Sequence, residues 1–171
     1  VWPGEDYFGS GDEATLVNDA TAEYLAGVRD HKNMMAWAES HMSLPVHFVG
    51  ADGKPVNIKA NPEANSRSED DGWVPWYNPA TTSPVEPDNA HYPSLIYVPY
   101  LLTGDMVFLE EMQHAAVYKV LDMNPQYREL DKCIPYYFDG QTRAWVHSVR
   151  DIVYAYLCTP ETNVLSHLQP K

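Results

Sequence analysis

Basic residues are scarce in this sequence. Lys and Arg number 11 against 24 Asp and Glu in 171 residues, a net charge of −13. A nucleic-acid binder needs a basic footprint to neutralise phosphates, and so does a protein held on an anionic membrane surface. Neither partner is expected. Cysteine is nearly absent as well: Cys133 and Cys158 are the only two, too few for a disulfide framework. Cys158 closes an apolar stripe, where a buried free thiol is expected and a disulfide is the open alternative. No apolar run reaches the roughly 18 residues that span a bilayer, and the longest, 94–102, is interrupted by Pro99. The amino terminus lacks a basic region followed by an apolar core, so no signal peptide is expected. Several motifs are missing too: a phosphate-binding glycine loop, a Gly-x-Ser-x-Gly elbow, a dinucleotide fingerprint and a His-Glu-x-x-His metal motif. The seven histidines are scattered without ligand spacing, and the acidic run Ser68-Glu69-Asp70-Asp71 lacks the alternation of a calcium loop. No metal and no cofactor is therefore expected.

Enough apolar surface is present to build a core. Apolar residues make up 44% of the chain and charged residues 20%, which suits one domain or part of a larger one. Residues 1–11 read as an extended arm and 12–171 as a single helical domain. Apolar positions recur at helical spacing over five stretches. The first runs from an Asp12 cap to about Gly27, the second from His31 to about Met42. The third spans Tyr92 to Thr103, the fourth Asp105 to about Met123, and the fifth Gly140 to Leu157, with Trp145, Val149, Ile152, Val153 and Tyr156 inward. Thr159-Pro160-Glu161 opens a further helix. Val46–Val49 and Val56–Ile58 flank Asp52-Gly53, which predicts a small β-hairpin. Residues 59–89 form a long insertion with the aromatic cluster Trp73, Trp76 and Tyr77; loops of this length are commonly functional.

Three times a helix ends in Tyr-Leu, turns within a few residues and restarts near an acidic residue: after Tyr24-Leu25, after Tyr100-Leu101 and after Tyr156-Leu157. An acid at a helix start complements the dipole. The pattern predicts antiparallel helical hairpins joined by short turns, at spacings too uneven for a regular solenoid.

The run Asp88-Asn89-Ala90-His91-Tyr92-Pro93-Ser94-Leu95, then Tyr97-Val98-Pro99-Tyr100-Leu101-Leu102-Thr103-Gly104-Asp105, resembles part of an (α/α) toroid. This is the six-hairpin fold of many glycoside hydrolases and polysaccharide lyases. Gln141-Thr142-Arg143-Ala144-Trp145 is similar to the start of an inner helix of the next hairpin. A complete toroid has more helices than are counted here, so the resemblance implies an internal segment, a trimmed domain or a shortened relative. It also implies a carbohydrate-active protein, a lyase or a hydrolase, whose partner is a polysaccharide or oligosaccharide.

In toroid lyases Tyr and His commonly transfer the proton, while Asn or Arg neutralises the uronate carboxylate. The resemblance thereby implies His91 and Tyr92 as catalytic, and Asn89 and Arg143 as substrate-binding. The chemistry needs such groups because a proton beside a carboxylate is weakly acidic, and its removal requires a placed base and stabilisation of the enolate. The competing reading is that His91 and Asn89 cap a helix and Tyr92 packs. Trp73, Trp76 and Tyr77 suit stacking on a pyranose face, or pin the loop to the helices. Glu110 and Glu111 are adjacent on a helix, so they point about 100° apart and cannot both face one site; a solvated acidic face is expected there. His114 and His147 could face a common centre, although satisfied histidines are the simpler expectation.

The sequence thus predicts a mainly α protein: antiparallel hairpins of (α/α)-toroid type with a small β-hairpin and a long aromatic loop. Its alternatives in function are a non-catalytic helical module binding glycan or protein, and a structural segment whose open helical face is covered by further chain or a second copy.

Overall fold

The computed structural model describes residues 17–50, 52–66, 94–123 and 142–159. Among them the chain is mainly helical, with five α-helices in the order α1 (Asp19–Leu25), α2 (His31–Ser40), α3 (Tyr97–Thr103), α4 (Met106–Leu121) and α5 (Thr142–Cys158). A 3-10 turn, His41–Ser43, continues α2. No helix among the described residues is long and apolar enough to cross a membrane.

Caps explain most of these boundaries. Asp30 accepts from Lys32 N–H to start α2, and Asp105 accepts from Val107 N–H to start α4. Between α3 and α4, Gly104 takes φ +67° and its N–H closes on Tyr100 O at 2.8 Å, the left-handed exit that ends many helices. A Cβ at Gly104 would meet no atom within 4 Å, so the cost of Gly104→Ala is conformational alone. We expect a loss of about 1 kcal/mol, measured by urea denaturation; an unchanged midpoint would mean that the turn relaxes freely. Pro99 is the third residue of α3, where its missing N–H removes no intrahelical bond.

α1 differs from the sequence expectation. It begins at Asp19, not near Asp12. Asn18 accepts from Thr21 N–H at 3.0 Å and donates from Nδ2 to Ser94 O at 2.8 Å. That second bond fastens α1 to the segment leading into α3. Residues 12–16 lie outside the described residues.

The expected hairpin strands meet at a single antiparallel bridge, Val49 with Pro55. Gly50 N–H donates to Lys54 O and Val56 N–H to Phe48 O across the turn. Pro55 has no N–H to give. The early part of the long insertion is packed rather than loose. Ala64 and Asn65 are buried, and Ser66 N–H donates to Leu121 O at 3.0 Å, satisfying a carbonyl that the end of α4 leaves open.

α4 is buried on nearly every side and forms the centre of the layer, between α3 and α5. Lys119 meets Asp151, whereas Met112 shares a pocket with Tyr154, so α4 and α5 run antiparallel. Leu44, Val46, Phe48, Val56 and Ile58 fill the core beside α4. Each such side chain contributes roughly 1.5–3 kcal/mol by leaving water.

The inward face of α5 is only partly the one its apolar residues suggest: of the five expected inward, Ile152 is buried and Val149 and Tyr156 are half-buried, but Trp145 and Val153 are not. Ala144, His147, Ser148, Asp151, Ile152 and Ala155 are buried, while Trp145, Val146, Val153 and Leu157 are exposed. Ala144, Ser148 and Ala155 are small and admit α4 closely. Asp151 faces Lys119 at 3.8 Å, and a buried ammonium without a carboxylate nearby would be costly. Cys158 is a free, half-buried thiol, and its burial raises its pKa.

Candidate functional site

Two polar clusters sit on α4, separated by two helical turns. Glu111, Ala115 and Lys119 are spaced four residues apart, so they lie along one side of the helix. Glu111 anchors the first cluster and Lys119 the second.

In the first cluster the 3-10 turn and the segment after it bring His41 and His47 to Glu111. His41 Nδ1 lies 2.6 Å from Glu111 Oε2, and His47 Nε2 lies 2.9 and 3.0 Å from the two carboxylate oxygens. His47 Nδ1 is 3.0 Å from Leu44 O. His41 is fully buried and His47 partly exposed. Burial alone would raise the Glu111 pKa, but the hydrogen bonds from His41 and His47 outweigh it and lower it to about 2. The hydrogen bond that His47 donates to Glu111 raises His47 above its ordinary value, against an opposing effect of burial. His114, one turn along α4, sets its ring 4.8 Å from that of His47. Burial lowers His114 to about 4, helped by the charge on His47.

In the second cluster Asp151 accepts from Arg150 Nε at 2.9 Å and faces Lys119 Nζ at 3.8 Å. Lys119 and His147 are buried beside it. His147 falls to about 4, first through burial and then through the positive charges of Arg150 and Lys119. His114 and His147 therefore belong to different clusters. The Nδ1 of each has no hydrogen-bond partner among the described residues.

A narrow pocket between α3, α4 and α5 connects the clusters. It encloses about 240 Å³ with its open mouth and is lined by His41, Tyr97, Met112, Ala115, Asp151 and Tyr154. The rings of Tyr97 and Tyr154 stack at 3.9 Å, and burial raises the Tyr154 pKa. The closed part has room for about one water molecule, so a sugar ring cannot enter it. No group of three His, Cys, Asp or Glu among the described residues is arranged to hold a metal ion.

Of the residues implied by the sequence, Arg143 is exposed in the first turn of α5, and its charge reaches His147. Asn89, His91, Tyr92, Trp73, Trp76 and Tyr77 lie outside the described residues. Glu110 is solvated, but Glu111 is buried, which corrects the expectation of a wholly solvated acidic face. One signal for this was available. Glu111 falls in register with Phe108, Met112 and Ala115 on the apolar stripe, with His114 three residues later.

Acid should weaken this protein. His114 and His147 both have folded pKa values below the unfolded value of 6.5. As pH falls from 6.5 towards 4 the unfolded chain takes up protons that the folded chain refuses. Each site then removes at most about 3 kcal/mol. The raised pKa of His47 adds stability that is already complete below 6.5, so it does not offset the loss in this window. We expect the melting temperature to fall over that window and His147→Leu to flatten the profile. Equal slopes for the two proteins would rule out His147 as a cause.

The chain matches no protein-family model, no curated protein sequence and no solved structure.

Proposed function

We propose that the chain is a carbohydrate-active protein, a polysaccharide lyase or glycoside hydrolase of (α/α)-toroid type with residues 46–58 as its small hairpin. Its proton-transfer groups are His91 and Tyr92. The observation that carries this reading is the resemblance of 88–105 and 141–145 to the hairpins of such a toroid, together with the capped turn at Gly104-Asp105 that joins α3 to α4. His and Tyr are the residue types a lyase uses to remove and return the proton beside a uronate carboxylate. The carbohydrate class itself rests on the resemblance of 88–105 and 141–145 to a toroid, and on Trp73, Trp76 and Tyr77 as a stacking platform. Asn89 and Arg143 would hold the substrate carboxylate beside His91 and Tyr92.

The test is to incubate the protein with uronate-containing and neutral polysaccharides and follow unsaturated product and new reducing ends. Loss of product in His91→Ala and in Tyr92→Phe, with the fold kept, supports the assignment. Retained activity in both variants overturns the choice of His91 and Tyr92. No product from any polymer removes the enzymatic reading.

A second reading has its own support. Leu101, Leu102, Met106 and Val107 are exposed around the α3–α4 turn, and Val146, Val153 and Leu157 form an exposed stripe on α5. Apolar surface of this kind marks interaction faces. It fits a non-catalytic helical module, or a structural segment covered by further chain or a second copy. Light scattering after size-exclusion chromatography separates these, since a covered face predicts association and a lone module predicts a monomer.

A further inference from the structure

Both ring nitrogens of His47 face atoms that accept hydrogen bonds. Nδ1 is 3.0 Å from the Leu44 carbonyl oxygen, and Nε2 is 2.9 and 3.0 Å from the Glu111 carboxylate. A carbonyl never donates, and an ionised carboxylate does not either. A neutral imidazole carries one N–H, so one nitrogen would turn its lone pair towards an oxygen at hydrogen-bond distance. Such a mismatch costs roughly 1–3 kcal/mol. Only a cation resolves it. Both contacts are of hydrogen-bond length, and a second ring proton satisfies both at once. The proton sits on the imidazole rather than on the carboxyl, because Glu111 accepts from His41 as well and is held at about 2.

We infer that His47 is an imidazolium in the folded protein, and that its second proton clamps the segment 41–49 onto α4. The titratable groups facing it among the described residues are Glu111 and His114 from α4 and His41 from its own segment. Each has a defined part. Glu111 supplies the negative charge. His41 occupies one carboxylate oxygen and so fixes the direction in which Glu111 faces His47. His114 must stay neutral, because a second imidazolium with its ring 4.8 Å away would repel the first.

This arrangement is a clamp with a pH window. The raised folded pKa of His47 adds stability that is complete below the unfolded value of 6.5 and is lost as pH rises through the folded value. On the acid side, protonation of His114 near 4 pushes the two rings apart. The clamp is therefore closed from mildly acidic to neutral pH and loosens on either side. Leu44, Val46 and Phe48 stay buried in the core, so loosening weakens the attachment without detaching the segment. The inference needs no substrate and stands independently of the carbohydrate reading.

The test is a pH titration of the histidine ring nitrogens by two-dimensional ¹H–¹⁵N NMR on the full chain, from about pH 5 to pH 9. We expect His47 to be protonated on both nitrogens at neutral pH, with a midpoint above 6.5. In Glu111→Gln the proton affinity should drop by about tenfold or more, one pKa unit. A folded wild-type protein with a singly protonated His47 at neutral pH overturns the inference. The wild-type titration decides alone if Glu111→Gln fails to fold. A melting temperature that rises with Zn²⁺ and falls with a chelator would put a metal in place of the proton, and would overturn it equally.

Discussion

Glu111→Ala should cost about 3–5 kcal/mol, the range for removing one partner of a buried ion pair. Glu110→Ala, one residue earlier, should cost less than about 0.5 kcal/mol. The two carboxylates have the same chemistry and adjacent positions. They differ in surroundings: Glu110 is exposed, while Glu111 accepts from His41 and His47 in the interior. Truncation at 111 leaves two imidazoles facing an empty space and removes the counter-charge of His47. In a domain of this size the larger loss lowers the melting temperature by roughly 10 °C. Paired urea denaturations at neutral pH measure the difference. Similar midpoints for the two variants would show that the cluster does not hold the fold together.

The second large effect is expected at Asp151. This carboxylate sits between Arg150 Nε at 2.9 Å and Lys119 Nζ at 3.8 Å, with Lys119 wholly buried. Asp151→Ala removes a carboxylate shared by two buried cations and should also cost about 3–5 kcal/mol. Lys119→Met should cost clearly less. Methionine fills a similar volume with an apolar chain, and Asp151 keeps Arg150 as its partner. The order of the two variants is the diagnostic result. If Lys119→Met is the more damaging, the lysine is held by something stronger than Asp151, and the cluster must be redrawn around it.

These two positions are linked through the pocket. His41, from the Glu111 cluster, and Asp151, from the Lys119 cluster, line the same narrow space. Damage at either end should therefore reach the other through side chains in contact, a coupling that the double variant would reveal as non-additive stability.

Helix positions were largely legible in the sequence, because the chemistry that starts and stops a helix is local. Asp30 and Asp105 cap the helices that follow them, and Gly104 closes α3 in the left-handed region. The periodicity of 108–121 fixed α4 as a helix, while its central place in the layer came from the tertiary structure. The first helix shows where local reading stops. Asp12 and Asn18 are both good caps by type, and the choice of Asn18 is bound up with its bond to Ser94, 76 positions away. The facing of α5 was equally hidden. Its large apolar residues argued for one side, but Trp145 and Val153 point outward. Asp151 turns inward towards the buried ammonium of Lys119, and close packing favours the small Ala144, Ser148 and Ala155.

By itself, then, the sequence determined a mainly helical chain with its turns in place, because capping, left-handed glycine and the spacing of apolar residues act over a few positions. It also determined that of Glu110 and Glu111 only one could face a given site, since neighbours on a helix diverge by about 100°. Which of them turns inward was decided only by the tertiary structure. The partners that make burial of Glu111 tolerable, His41 and His47, lie 70 and 64 positions earlier in the chain. A carboxylate is driven out of an apolar interior unless such partners arrive, and no local pattern records that they do.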